Sequence, residues 1–177
     1  MTVGRRIDGW WSPRFAGLAL AWLLCGCGYQ LAGKGELPGK VDTIAVSMLA
    51  NRSAESGLET KVTNALIDEL TRRRQGLVVA TDRADAVLSG TIDALSATTV
   101  ARSGTLTAAE RKVVITVSLT LKDRKGEVLW QGQGLTAEQA YPVADTKPRT
   151  EANRRAAMAQ VAQRLAEYAY ERLTDSF

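Results

Sequence analysis

The sequence predicts an α+β fold, a two-layer sandwich with two long helices packed on one face of a four-stranded, mostly antiparallel sheet. Three observations lead there. Residues 110–122 alternate strictly, with Val113, Ile115, Val117, Leu119 and Leu121 facing one way and Lys112, Val114, Thr116, Ser118 and Thr120 the other, which is the period of a strand covered on one side. Residues 57–74 and 146–172 instead place apolar side chains at helical spacing. The order strand, helix, three strands, helix is then satisfied by a sheet with both helices on its apolar face.

Each element has its own local signal. Val41 to Met48, with Ile44 and Val46 apolar, reads as the first strand. Asn51-Arg52-Ser53 is loop chemistry, and Ser56 followed by Glu59 fits a capping box. Leu58, Val62, Ala65, Leu66 and Leu70 form the face of the first helix. Arg72, Arg73 and Arg74 end it as a solvated turn at the negative helix terminus, and Gly76 stops it. Leu77 to Ala80 is a short apolar run before a loop at 81–84. The second strand, 85–100, places Ala86, Leu88, Gly90, Ile92 and Ala94 on one side. After the strand at 110–122, Asp123-Arg124-Lys125-Gly126 makes a tight turn, and 127–136 returns as the fourth strand. In the last helix Pro148 sits near the start, where a missing N–H is harmless. Ala157, Val161, Leu165, Tyr168 and Leu173 form its stripe.

The N-terminus is of another kind. Arg5, Arg6 and Arg14 stand against one acid, Asp8, and 15–24 is unbroken apolar sequence. That run is short of the ~20 residues that span a bilayer and has the layout of a secretory signal. Its end, Leu24-Cys25-Gly26-Cys27, resembles a bacterial lipobox. Leu24 is too bulky to precede a cut before Cys25, whereas Gly26 fits a cut before Cys27. The expected boundaries are a cleaved signal at 1–26, a Gly-rich lipidated tether at 27–40 and one domain at 41–177. Cys27 would carry a diacylglycerol and an N-acyl chain, and two or more chains anchor stably where one does not. Gly28 rather than Asp after that cysteine points to the outer membrane, with the domain on the periplasmic side.

Composition excludes several functions. The chain has no histidine, and its only cysteines are Cys25 and Cys27, so a Ser-His-Asp triad, a His/Cys zinc site and an internal disulfide are absent. No phosphate-binding glycine loop is present. Of 23 basic and 19 acidic residues, three arginines and one aspartate lie in 1–26, which leaves 20 against 18. So small an excess does not suit a nucleic-acid partner. No enzyme activity and no cofactor are expected. What remains is a local cluster. The loop after the second strand and the connection into the last helix leave the meander at the same end. Arg102, Arg111, Lys112, Lys147 and Arg149 therefore gather near one tip, where cations suit a phosphorylated ligand. Scattered surface charge diluted by Glu110, Asp145 and Glu151 is the competing reading.

Cys27-Gly28-Tyr29-Gln30-Leu31, then Leu37-Pro38, Ile44-Ala45-Val46, Asn51-Arg52-Ser53 and Gly57-Leu58-Glu59 together resemble the LptE family of lipopolysaccharide-assembly lipoproteins. The meander and the Ala/Arg-rich last helix extend the likeness over nearly all of the chain after Cys27. The resemblance implies a plug inside the outer-membrane β-barrel LptD, helping that barrel assemble and binding lipopolysaccharide on its way to the outer leaflet. It implies that Arg102, within Val100-Ala101-Arg102-Ser103-Gly104, and Lys147 contact lipopolysaccharide. The alternative is another periplasmic lipoprotein with a similar strand–Asn-x-Ser–helix opening, a curli-export-type pore or a module like the TolB N-terminus. On the lipobox reading, Cys27→Ala should abolish incorporation of labelled palmitate and Cys25→Ala should leave it intact. Retained label in Cys27→Ala would refute the assignment.

Overall fold

The computed structural model describes residues 37–102 and 109–175, with the backbone alone at 101, 102 and 109. Cys27, the expected signal and most of the expected tether lie outside the described residues. The elements are β1 (Ile44–Val46), β2 (Ala50–Asn51), α1 (Leu58–Arg73), β3 (Ala86–Arg102), β4 (Ala109–Asp123), β5 (Val128–Pro142) and α2 (Lys147–Thr174). The sheet runs β1-β3-β4-β5, with β2 beside β1 on the same edge of β3. β3, β4 and β5 pair antiparallel, while β1 and β2 pair parallel to β3. The α+β class is as expected, and the sheet has five strands rather than four. Two-residue β2 is too short to show any period.

The core is one aliphatic layer between sheet and helices. Val113, Ile115, Val117, Leu119 and Leu121 of β4 are buried, as are Leu58, Val62, Leu66 and Leu70 of α1. Such side chains contribute about 1.5–3 kcal/mol each on full burial. α2 adds Ala157, Val161, Leu165 and Leu173, with Ala162, Ala166 and Ala169 between them. Tyr168 does not join this stripe. The i+4 step from Leu165 lands on Ala169, so Tyr168 faces solvent and the Arg172 guanidinium lies 5.4 Å from its ring centre. Packing already includes Leu37, the first described residue. Leu37 and Pro38 are buried, and the turn at Pro38–Lys40 lies against Leu129.

β4 keeps perfect alternation, and every irregularity falls on its neighbours. β3 carries extra residues at Asp93 and Val100, and β5 carries them at Leu129 and at Gln133–Gly134. Each bulge reverses which face later residues occupy. Past Asp93 it is Leu95 and Ala97, not Ala94, that oppose Ile115 and Val113, and Ala94 is exposed. Past Gly134, Leu135 and Tyr141 are buried, so β5 continues six residues beyond the expected end at Thr136, to Pro142. Two of the bulges meet at Ser118. Its hydroxyl donates to Asp93 Oδ2 at 2.6 Å and accepts from the Gly134 N–H at 3.4 Å. Gly134 holds φ +63° there, a conformation that suits glycine.

Polar links fix the helices to the sheet. The expected Ser56 cap is absent; Gly57, with φ +82°, occupies the N-cap of α1 without a side-chain bond. Glu59 instead reaches back, accepting from the Gly57 N–H and from Asn51 Nδ2. Its own amide foremost, and then Asn51, hold its carboxyl below the usual range. Asn51 also receives the Ser53 N–H and hydroxyl and donates to the Glu55 carbonyl, closing the loop before α1. Buried Thr63 accepts the Leu49 N–H at 3.1 Å. At the other end, Asp85 accepts from the Thr43 N–H and hydroxyl and from Arg124.

The arginine triplet is not merely solvated. Glu69 is 6% exposed, and Arg72 and Arg73 both bind its carboxylate, at 2.5 and 2.6 Å. Arg73 also lies 5.1 Å over the Tyr170 ring of α2, and Arg74 reaches Asp42. Burial alone would raise the Glu69 pKa, but the two guanidiniums outweigh it and hold it below 4.5. A depressed carboxyl contributes stability above its unfolded pKa and loses it as pH falls through the folded value. Wild type should therefore lose stability as pH drops below about 4.5. Glu69→Gln should be less stable at pH 7 and show a shallower acid-side loss in urea unfolding. Parallel acid limbs would contradict the assignment.

Candidate functional site

The tip of the sheet opposite β1 is where the expected cations lie. β3 ends there at Arg102, opposite Ala109 at the start of β4. Glu110 pairs with Pro142 and Arg111 with Tyr141 at the end of β5. The β5–α2 connection returns to the same end, and two side chains fix it. The Thr150 hydroxyl receives the Ala144 N–H at 3.0 Å and packs against the Ala144 and Thr146 carbonyls. Asn153 Nδ2 donates to the Pro142 carbonyl at 2.9 Å. α2 therefore starts at a defined point with Pro148 in its first turn, and its partial positive N-terminus favours anions.

The five cations separate into groups. Lys147 and Arg149 are exposed on the first turn of α2 and make no ion pair among the described residues. Arg111 is also exposed and unpaired among them, and by alternation shares the helix-bearing face with its partner Tyr141. Lys112 projects from the opposite face and binds Glu138 Oε2 at 2.8 Å, so it is neutralised and turned away. Arg102 is placed by its backbone alone, at the last position of β3. The structure thus assembles Arg111, Lys147 and Arg149 at one end, with Arg102 at the strand terminus, and detaches Lys112. Glu110 and Asp145 are exposed at the same end.

A sixth cation is consumed structurally. Arg154 binds Glu55 through both terminal nitrogens, at 3.0–3.1 Å, and Glu151 through Nε at 3.0 Å. Its hydrogen bond to Glu55 foremost raises its pKa, and Arg154 in turn lowers that of Glu151. Glu55 lies 99 residues away in sequence, so only the Glu151 half of this clamp had a readable spacing. It ties α2 to the loop before α1 and holds the Glu151 carboxylate to Arg154. One buried polar atom at this end, the Tyr141 hydroxyl, has no hydrogen-bond partner among the described residues.

Other chemistry is thin. Among the described residues no cluster of three acidic, His or Cys side chains could hold a metal. No described helix is long and apolar enough to cross a membrane. A groove of about 620 Å³ runs between α1 and α2, away from the tip. Its mixed lining of Lys61, Asp68, Glu69, Arg72 and Glu167 over Ala65 and Ala162 favours neither ligand charge.

The comparisons with known proteins agree with this architecture. The family model described as LptE, lipopolysaccharide-assembly, matches residues 41–173. No curated protein matches. Lipoprotein B from Nitrosomonas europaea is similar at 12% identity and a TM-score of 0.53, over 83% of this chain and 90% of that one. PelC from Paraburkholderia phytofirmans, solved as a dodecamer, is similar at 18% and 0.50, over 75% and 89%. A minor lipoprotein from Acinetobacter baumannii is similar at 20% and 0.47, over 76% and 92%. At these identities the likeness to the first two concerns the fold alone. The family match spans every strand and both helices of the sandwich, and on it the chain belongs to the LptE family of lipopolysaccharide-assembly proteins.

Proposed function

We propose that this chain is the lipid-anchored plug of an outer-membrane lipopolysaccharide translocon. It sits within the LptD β-barrel, supports that barrel's assembly and contacts lipopolysaccharide during delivery to the outer leaflet. The observation that carries the reading is the family match over 41–173. In this reading Cys27 holds the acyl chains on the periplasmic side of the outer membrane, and the domain reaches into the barrel from there.

The sheet supports such a placement. Its helix-free face carries Thr116, Ser118, Thr120, Gln131 and Gln133, with Thr116 and Thr136 hydroxyls 3.1 Å apart. A polar barrel lumen accepts a wall of neutral hydroxyls and amides without stranding a charge. The tip supplies the ligand contact. Lipid A phosphates are anionic, and Arg102, Arg111, Lys147 and Arg149 would meet them with charge-assisted hydrogen bonds. Lys112, already paired with Glu138, contributes least.

The partner is tested by affinity purification from detergent-solubilised outer membrane, with one large β-barrel recovered in equimolar amount as the expected result. Recovery of ring-like self-oligomers without a barrel would overturn the plug in favour of a secretion pore. For the ligand, Arg102→Glu combined with Lys147→Glu should weaken lipopolysaccharide binding at least ten-fold, about 1.4 kcal/mol, with an unchanged circular dichroism spectrum. Lys112→Glu should change it little. Equal effects from both would reduce the tip to nonspecific charge.

A further inference from the structure

Two side chains of α2 reach back to the connection that precedes it. One hydroxyl serves both polar backbone groups of Ala144: Thr150 Oγ1 accepts the Ala144 N–H at 3.0 Å and lies 3.2 Å from the Ala144 carbonyl. It lies 3.2 Å from the Thr146 carbonyl as well. Asn153 donates to the Pro142 carbonyl at 2.9 Å. The chain is therefore pinned at alternate residues, 142, 144 and 146, just before α2 begins at Lys147. The usual device is not used. Thr146, the N-cap residue, makes no side-chain capping bond, and the first turn has no acid. Thr150 fixes the entry of the chain from inside the helix instead.

What this staple carries is Lys147. At about 100° per residue, Lys147 falls on the line of Arg154, Met158 and Leu165, and the last two are buried in the core. Lys147 thus occupies the core-facing line of α2 and is nevertheless exposed. The reason is its level. Asn153 stands at Pro142, the last residue of β5. Lys147 is nearer the tip by about 9 Å along the helix axis, at about 1.5 Å per residue. It overhangs the end of the sheet on the face where Arg111, opposite Tyr141, is exposed. Neither cation is in an ion pair among the described residues. Arg149, two positions on, lies on the opposite side of the helix.

We infer that Thr150 is a positioning residue of the anion tip, holding Lys147 where it and Arg111 close on one phosphate group. The inference rests on the reading of the tip as a lipopolysaccharide contact, and Thr150 itself touches no ligand. Its hydroxyl sets how the chain enters α2, and the direction of the Lys147 Cα–Cβ bond follows. Without the hydroxyl the Ala144 N–H and carbonyl lose their partner and turn to solvent. The first turn then frays, and Lys147 must be ordered again at each binding event. That ordering is subtracted from affinity, while the number of cations at the tip stays the same. Valine keeps the shape of threonine and removes the hydrogen bonds; serine keeps them.

A double-mutant cycle with full-length protein in mild detergent and purified lipopolysaccharide tests the role. Thr150→Val should weaken binding about five-fold, and Thr150→Ser should bind as the parent does. Lys147→Gln should cost about ten-fold in the parent but about two-fold beside Thr150→Val, because the two residues act as one unit. Circular dichroism spectra should be unchanged throughout. Losses that multiply, to about fifty-fold in the double variant, would overturn the positioning role. So would full affinity in Thr150→Val or weakened binding in Thr150→Ser. A lost fold in Thr150→Val would mark a merely structural residue and count against it too. Lys147→Gln with no loss in the parent would instead remove the site itself, and the inference with it.

Discussion

The unbroken alternation of β4 is the constraint on which the remaining structure depends. Five aliphatic side chains from Val113 to Leu121 point at the helices without a slip, and strands on both sides bond to this one ruler. Leu119 shows how closely it is fitted. Its register partners are Gly90 on β3 and Gly132 on β5. A Cβ at Gly90 would collide with the Ser118 carbonyl and the Leu119 side chain, and one at Gly132 with the Trp130 ring. Gly90 thus makes room for Leu119 and Gly132 for the Trp130 ring, and both side chains line one small cavity with Leu66 and Leu70 of α1 and Ala166 and Ala169 of α2. Helix packing is set from this row, and the helix clamps at Glu69 and Arg154 follow from it.

That constraint also explains what could be read from the sequence. β4 and both helices repeat with a fixed period over many residues, and their positions were visible. β3 and β5 each change phase at two bulges, so a single alternation describes only part of each. Ala94 therefore falls on the face opposite to the one its alternation predicts, and the fourth strand runs past Thr136 to take in Tyr141. The Ser56 cap failed for a different reason. The N-cap falls on Gly57 and Glu59 reaches back to its N–H, while Asn51, seven residues before the first residue of α1, holds Glu59 and the loop through contacts that no short motif records. The cations of the tip were visible as residues, but their division was not. Lys112 and Arg111 are adjacent in sequence and on opposite sides of the sheet, and the partner of Lys112 comes from another strand.

The two ends of the sandwich are built differently. At the β1 end, Asp85, Thr43 and Arg124 bind one another across three segments, and charge is spent internally. At the tip, Lys147, Arg149 and Arg111 stay unpaired among the described residues although acids lie nearby. The Thr150 and Asn153 bonds fix the backbone that carries two of them. A rigid frame bearing uncommitted cations suits an anion whose binding must not reshape the fold. The helix-free face between the ends is mainly hydroxyls and amides, with the Asp93 carboxylate held by Ser118 and Lys112 paired with Glu138.

The bulge at Asp93 has a consequence for comparing this chain with its relatives. A relative lacking one residue there would present its edge strand in the opposite phase, its inward aliphatics where this chain has outward threonines and serines. Matched position by position, the two would look unrelated from Ala94 to the tip, yet the same pleat would be filled by equivalent side chains one step displaced. The single residue that bridges to Ser118 thus acts as a comma in the strand, and distance between sequences beyond it measures a change of phase rather than a change of architecture.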